Sequence, residues 1–233
     1  MKNRIKIIFI FFAIILISSR LCSKENNFYF YPKVMNQWDI NYNVGLSLTY
    51  LPTAVVEEEI NSSPFLNFGV KLAFSKNSFA RLDMGSNYLA NIGTLGYFYN
   101  FINNDISLGV GLRTSIWFGH LNFSAFNIKS TGGIIAPEVH AGFSIGDLKI
   151  SSAVELESNY IYTTSDDQYL GESFQKFSGL TFKFSVEQPL WKEHWVSTSL
   201  KLNYNKFYYQ SWISFSTVDE YLLYPEFSFG FTL

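Results

Sequence analysis

Apolar and polar residues alternate with a period of two through ten segments of this 233-residue chain, and the connections between those segments alternate between short and long. No run after residue 23 is long enough or apolar enough for a spanning helix. A strand turns alternate residues to opposite faces. Strands that each carry an apolar face can satisfy their backbone in lipid only by closing into a barrel. These observations predict an all-β fold, a transmembrane antiparallel up-and-down β-barrel of about ten strands; eight or twelve strands are compatible with the same pattern.

The N-terminus reads as a removable segment. Lys2, Arg4 and Lys6 precede Ile7 to Ile17, an uncharged apolar run of eleven residues. As a helix this run spans about 16 Å, roughly half a bilayer's hydrocarbon core. It is expected to be a secretory signal rather than an anchor. Ser18, Ser19 and Ser23 are small residues near the end of the run. The cut is placed after Ser23, which makes residues 1–23 the signal peptide and 24–233 the barrel domain. Cys22 raises the alternative of a lipidated N-terminus, but Ser19-Arg20-Leu21 lacks a small residue directly before the cysteine. If Cys22 leaves with the signal, no disulfide supports the fold.

Removing residues 1–23 takes away Lys2, Arg4, Lys6 and Arg20, so 13 of the 17 Lys and Arg remain against 19 Asp and Glu, a net charge of −6. An acidic balance argues against nucleic acid as a partner, since nucleic acid requires a basic stripe.

After an N-terminal piece of residues 24 to 37, the first strand is Trp38 to Tyr50. Trp38, Ile40, Tyr42, Val44, Leu46, Leu48 and Tyr50 share one parity, and Asp39, Asn41, Asn43, Gly45, Ser47 and Thr49 share the other. Its length suits a tilted spanning strand. The same pattern predicts strands near 65–74, 80–90, 94–101, 106–118, 134–145, 148–162, 174–187, 195–205 and 221–233, with the break near 91–93 the least marked. In the last of these, Tyr221, Leu223, Phe227, Phe229, Phe231 and Leu233 oppose Glu226, Ser228, Gly230 and Thr232. The connections at 75–78, 103–105, 146–147 and 188–194 are short. Those at 51–64, 119–133, 163–173 and 206–220 are long, as expected of inner turns and outer loops.

Charge placement sharpens the prediction. An Arg or Lys at the midplane of a lipid-facing strand costs about 2–4 kcal/mol. The apolar parity carries Lys176 alone. The opposite parity carries Asp39, Lys71, Arg81, Asp83, Arg113, Glu138, Lys149, Glu155, Glu157, Lys183, Glu187, Lys201 and Glu226. A soluble barrel with the pattern inverted would have to pack all the large apolar side chains into a narrow lumen.

The aromatics sort by depth into two expected interfacial belts. Trp38, Phe74, Tyr99, Phe101, Trp195 and Phe231 fall at turn ends; Tyr50, Tyr88, Phe118, Tyr160, Tyr162, Phe174, Tyr204 and Tyr221 fall at loop ends. Trp195 sits on the lumen parity of its strand.

In period, terminal strand and loop asymmetry the chain resembles the small bacterial outer-membrane barrels of the OmpA and OmpX type over nearly the whole of residues 24–233. That resemblance implies location in the outer membrane of a diderm bacterium, with outer-membrane lipid and the barrel-assembly machinery as partners. It says little of activity. Terminal strands of such barrels typically end in an aromatic residue that the machinery reads; this chain ends in Leu233, so Phe231 and Phe229 would have to carry the signal.

Counted from the turn ends, Arg113, Glu138 and Glu155 lie at one height on three consecutive strands. Lys201 is at a similar height, and His140 lies two positions below Glu138. Buried charges persist when paired, so these residues are expected to form an ion-pair layer across the lumen. Such a layer is expected to act either as a polar plug replacing an apolar core or as a gate or proton-linked site.

Three functional readings follow. The first is a structural or surface-interaction protein acting through its outer loops, where Phe207, Tyr208, Tyr209, Trp212 and Phe215 form an apolar patch. Acids at Glu57 to Glu59 and at Asp166 and Asp167 would rim it, suiting a host or envelope protein. The alternative is a narrow pore for small solutes. The third is a hydrolase: ten strands bring to mind the omptin-like proteases and the barrels that deacylate lipid A. That chemistry needs a base beside a nucleophile or water. His120, with Ser124 and with Asp166 and Asp167 on another loop, is the placement nearest to it, and the omptin-like histidine two residues from an aspartate is absent. The three histidines, 120, 140 and 194, lack ligand spacing, so no metal is expected, and no phosphate loop or nucleotide fingerprint implies a cofactor.

Overall fold

A computed structural model describes residues 28–33, 36–52, 62–87, 89–123, 126–165, 168–191, 194–206 and 220–233. Residues 1–23, expected as a signal peptide, Tyr88, Glu57 to Glu59, Ser124, Asp166, Asp167 and the whole patch from Phe207 to Phe215 lie outside the described residues.

Ten strands form: β1 (Ile40–Tyr50), β2 (Ser62–Ala73), β3 (Ser78–Ser86), β4 (Ala90–Asn103), β5 (Ile106–Phe123), β6 (Phe126–Ile145), β7 (Leu148–Ser165), β8 (Gln168–Trp191), β9 (His194–Asn205) and β10 (Leu222–Thr232). Each pairs antiparallel with its sequence neighbours, and β1 closes on β10 with Leu46 opposite Phe229. The protein is therefore a closed up-and-down barrel with no free sheet edge. Leu46, Leu66, Leu95, Leu112, Val139 and Leu156 face outward at mid-height. Asn43, Ser47, Ser115, Glu138, Glu155 and Ser199 face inward. This is the inverse of a soluble barrel, and it is the arrangement that lipid requires.

Two boundaries differ from expectation. The break expected near 91–93 lies inside β4; the chain turns instead at Asn87, whose side-chain oxygen accepts hydrogen bonds from the backbone N–H groups of Leu89 (2.8 Å) and Ala90 (2.6 Å). An Asn side chain that mimics a backbone turn sets the reversal without glycine. The regions 119–133 and 163–173, expected as long loops, are largely strand. β5 and β6 stay paired up to Phe123 and Phe126, and β7 and β8 up to Ser165 and Gln168. Above lipid a strand meets water on both faces, so the period-two signal fades while Tyr, Thr and Ile still favour extended pairing. β5 to β8 are 18, 20, 18 and 24 residues long against 11 for β1. They stand as a raised wall on one side of the barrel.

Of the described residues expected in the belts, all but one lie on the outer surface or at its edge. Trp38, Tyr50, Phe118, Tyr160 and Phe231 are exposed on the outer surface, and Tyr221 is half-buried and stacks on Tyr204 with ring centroids 5.3 Å apart. Trp195 is a correction: it is 4% exposed and points into the lumen, where it meets the Phe28 ring edge-to-face at 6.0 Å. Its parity decides this, because a neighbour inside the barrel is available to cover it. Trp191, at the end of β8, faces outward at the same end of the barrel.

Candidate functional site in the barrel lumen

The lumen is filled at three levels. At the turn end, residues Phe28 to Lys33 run inside the barrel, and Phe28, Tyr29 and Tyr31 are buried. The Glu187 carboxylate on β8 accepts the backbone N–H groups of Tyr29 and Tyr31, each at 2.7 Å. Asn41 on β1 donates to the Phe28 carbonyl (2.8 Å) and Asn100 on β4 to the Pro32 carbonyl (2.7 Å). The Lys71 ammonium on β2 donates to the Tyr31 carbonyl (2.5 Å). The Tyr29 hydroxyl donates to Asp83 (2.5 Å), which also holds Arg81 at 3.0 Å, both on β3.

The middle level is a belt of charges. Arg113 on β5 and Lys183 on β8 both donate to Glu155 on β7. Lys183 also lies 3.8 Å from Glu138 on β6, and His140 Nδ1 lies 3.6 Å from the other oxygen of Glu138. The opposite ring nitrogen of His140 is 2.8 Å from Asn100. Lys201 on β9 donates to both oxygens of Glu226 on β10, at 3.0 and 3.1 Å. In register Glu138 faces Glu155 and Lys183 faces Lys201. From β5 to β10 the charges therefore run plus, minus, minus, plus, plus, minus, so each like-charged neighbour is offset by an opposite charge on its other side. Glu157 completes the level, accepting hydrogen bonds from Thr181 and Asn205 at 2.9 Å each.

The sequence-predicted residues Arg113, Glu138, His140 and Glu155 are thus brought together, and Lys201 joins the same belt through Glu226. Lys183 was missing from the expected layer. Counting heights from turn ends ignores the stagger between tilted strands; the register places Lys183 beside Ala153, within reach of Glu155. Asn41, Asn100 and Glu187 gave no signal of their own, because a polar residue on a lumen parity looks the same whether it meets water or a peptide.

At the loop end the lining turns apolar. Phe65, Ala90, Trp117 and Tyr224 are buried together, with Ile92, Ile134 and Ile161 packed against them. Trp117 lies over Gly132 on β6, its register partner, where a Cβ would come within 2.6 Å of the indole. Between cap and turn-end segment remains a cavity of about 170 Å³ lined by residues of the belt. His120 stands apart from all of this: it is exposed on the raised wall and bonded across the hairpin to Asn127 at 2.8 Å. Among the described residues no cluster of His, Cys, Asp or Glu has the geometry to hold a metal ion.

A closed ring of ten strands, apolar outside and ion-paired inside, defines a transmembrane β-barrel with an occupied lumen. Among solved structures the chain is similar to the outer membrane protease OmpT from Escherichia coli, with 8% identity, a TM-score of 0.46, and coverage of 83% of this chain and 94% of that one. It is also similar to Neisserial surface protein A, with 13% identity, a TM-score of 0.40, and coverage of 83% and 96%. OccK5 (OpdH) of Pseudomonas aeruginosa aligns with 11% identity, a TM-score of 0.28, and coverage of 84% and 67%. No family model matches the chain, and no curated protein matches it.

Proposed function

We propose that this protein is an integral outer-membrane barrel that passes no solute and acts as a structural or surface-interaction protein through its outer face. The observation that carries the reading is the lumen, occupied by a peptide segment, a paired charge belt and an apolar cap in series. A conducting barrel needs a continuous wet path. The raised wall supports the interaction half of the reading. It displays Tyr169 above the belt, with the Tyr162 and Tyr169 rings 5.5 Å apart. Aromatic side chains on a firm scaffold are what a protein partner anchors on. Contact with a host or envelope protein at this face, and at the patch Phe207 to Phe215 expected from the sequence, belongs to the same proposal.

Planar-bilayer recording of the refolded protein tests the reading. The expected trace stays at the baseline of the empty membrane. Stable, voltage-independent steps would refute it and favour the second reading, a narrow pore for small solutes, which the partly open cavity of about 170 Å³ in the lumen supports.

A further inference from the structure

We infer that the turn-end mouth of the barrel is a binding site for a bent peptide main chain, occupied here by the protein's own residues Phe28 to Lys33, and that this self-ligand closes the lumen from the inner side.

The recognition runs through the backbone. Two N–H groups of the segment, at Tyr29 and Tyr31, go to the two oxygens of one carboxylate, Glu187. Its carbonyls at Phe28, Tyr31 and Pro32 go to Asn41, Lys71 and Asn100. These donors and acceptors come from β8, β1, β2 and β4, so the segment is gripped from well-separated parts of the wall and joins no strand ladder. Glu187 and Lys71 are buried under it. A carboxylate that accepts two N–H groups and an ammonium that donates to a carbonyl form charge-assisted hydrogen bonds, stronger than neutral ones.

The wall is also cut to the segment's shape. At Gly69 a Cβ would lie 2.1 Å from the Tyr29 hydroxyl, and at Gly142 one would lie 2.7 Å from the Pro32 ring. Side chains at either position would occupy the volume the peptide fills. Phe28 and Tyr31 supply the apolar part, meeting edge-to-face at 5.1 Å beside Trp195. The ligand class is therefore a peptide that bends through its central main-chain contacts and carries aromatic residues about them, and the occupant is Phe28 to Lys33 of this chain.

The test reads access to the cavity, and so separates from the conductance reading, which needs both ends open. Cys22 is the chain's only cysteine. In the full chain carrying Cys22→Ser, a Ser199→Cys probe lines the cavity, and its rate of reaction with a charged, water-soluble thiol reagent is followed. Deleting residues 28–33 is expected to raise that rate at least about tenfold, since labelling then reports an opened site. A synthetic Phe-Tyr-Phe-Tyr-Pro-Lys peptide added to the deletion variant restores protection. The same peptide N-methylated at both tyrosines, which removes the two N–H donors, does not. Heat-modifiable migration on gels checks that each variant is folded. If the deletion variant does not fold, Glu187→Gln replaces it and is expected to raise the rate in the same direction. Equal labelling of the parent and the perturbed chain would overturn the inference, as would equal protection by the two peptides.

Discussion

The charge belt makes a quantitative prediction about Glu155. Its carboxylate is 1% exposed and accepts from both Arg113 and Lys183. Glu155→Gln keeps the volume but removes the charge. The ion pairs of the belt are Arg113 and Lys183 with Glu155, Lys183 with Glu138, and Lys201 with Glu226. After the substitution Arg113 loses its carboxylate partner, and Lys183 retains the more distant Glu138 at 3.8 Å. Two unit charges about 4 Å apart interact by about 4 kcal/mol at an effective dielectric constant of about 20. Removing one partner from a buried pair costs about 3–5 kcal/mol when a charge is left behind.

The assay is reversible urea unfolding of the refolded barrel in lipid vesicles, followed by tryptophan fluorescence. Glu155→Gln should lose about 3–5 kcal/mol, while Glu172→Gln, on the exposed raised wall, should leave the midpoint unmoved. In a cycle with Arg113→Ala, the double variant should lose clearly less than the sum of the singles, because the second substitution removes a charge that the first left stranded. Neither variant should conduct, since the turn-end segment and the apolar cap remain. A loss below about 1 kcal/mol, or strict additivity with Arg113→Ala, would refute the reasoning, for it would mean that water screens the belt.

Three further outcomes follow from the wall and the cap. In variants keeping one tryptophan each, brominated lipid should quench Trp38, which is 64% exposed, and spare the buried Trp195; quenching of both would return Trp195 to the lipid belt. Leu112→Arg, on the outer face at mid-strand, should cost about 2–4 kcal/mol, against about 0–1 for Ile106→Arg at the turn end of the same strand; equal urea-unfolding losses would mean that the two positions do not differ in depth. Trp117→Ala should cost about 3–5 kcal/mol as a fully buried ring is lost, measured by the same unfolding, and an unchanged midpoint would show that the cap does not pack as a core.

The wall of this barrel was legible because lipid enforces it residue by residue. Leu46, Leu66, Leu112 and Val139 face hydrocarbon and their strand neighbours do not, so the period-two pattern survives in the sequence. Once the chain leaves lipid, that constraint ends: the pairs from Phe118 with Thr131 up to Phe123 with Phe126 are strand without sustained alternation. The lumen was legible in part. Arg113, Glu138 and Glu155 could be grouped because they sit on adjacent strands whose heights compare directly. Lys183 could not, because its height depends on shear. The turn-end segment was illegible for a different reason: Phe28 to Lys33 carries no period, and its partners Asn41, Asn100 and Glu187 lie as far as 158 positions away in sequence.

The charge belt does more than fill space, and the reason lies in register. A one-residue slip of any strand exchanges its two faces. For β8 that slip would turn Lys183 into lipid at about 2–4 kcal/mol, strip Glu155 of one donor, and bring Phe182 and Phe184 into the belt. For β5 it would do the same to Arg113. An apolar interior could not impose this penalty, since a slipped strand would still present hydrocarbon to hydrocarbon. The belt therefore fixes the register of β5 to β8, the same four strands that continue upward as the raised wall. A wall whose base is pinned in register projects Tyr169 and the Tyr162 ring beside it in one arrangement, so a partner binding there loses less to ordering than it would on a loop of equal length.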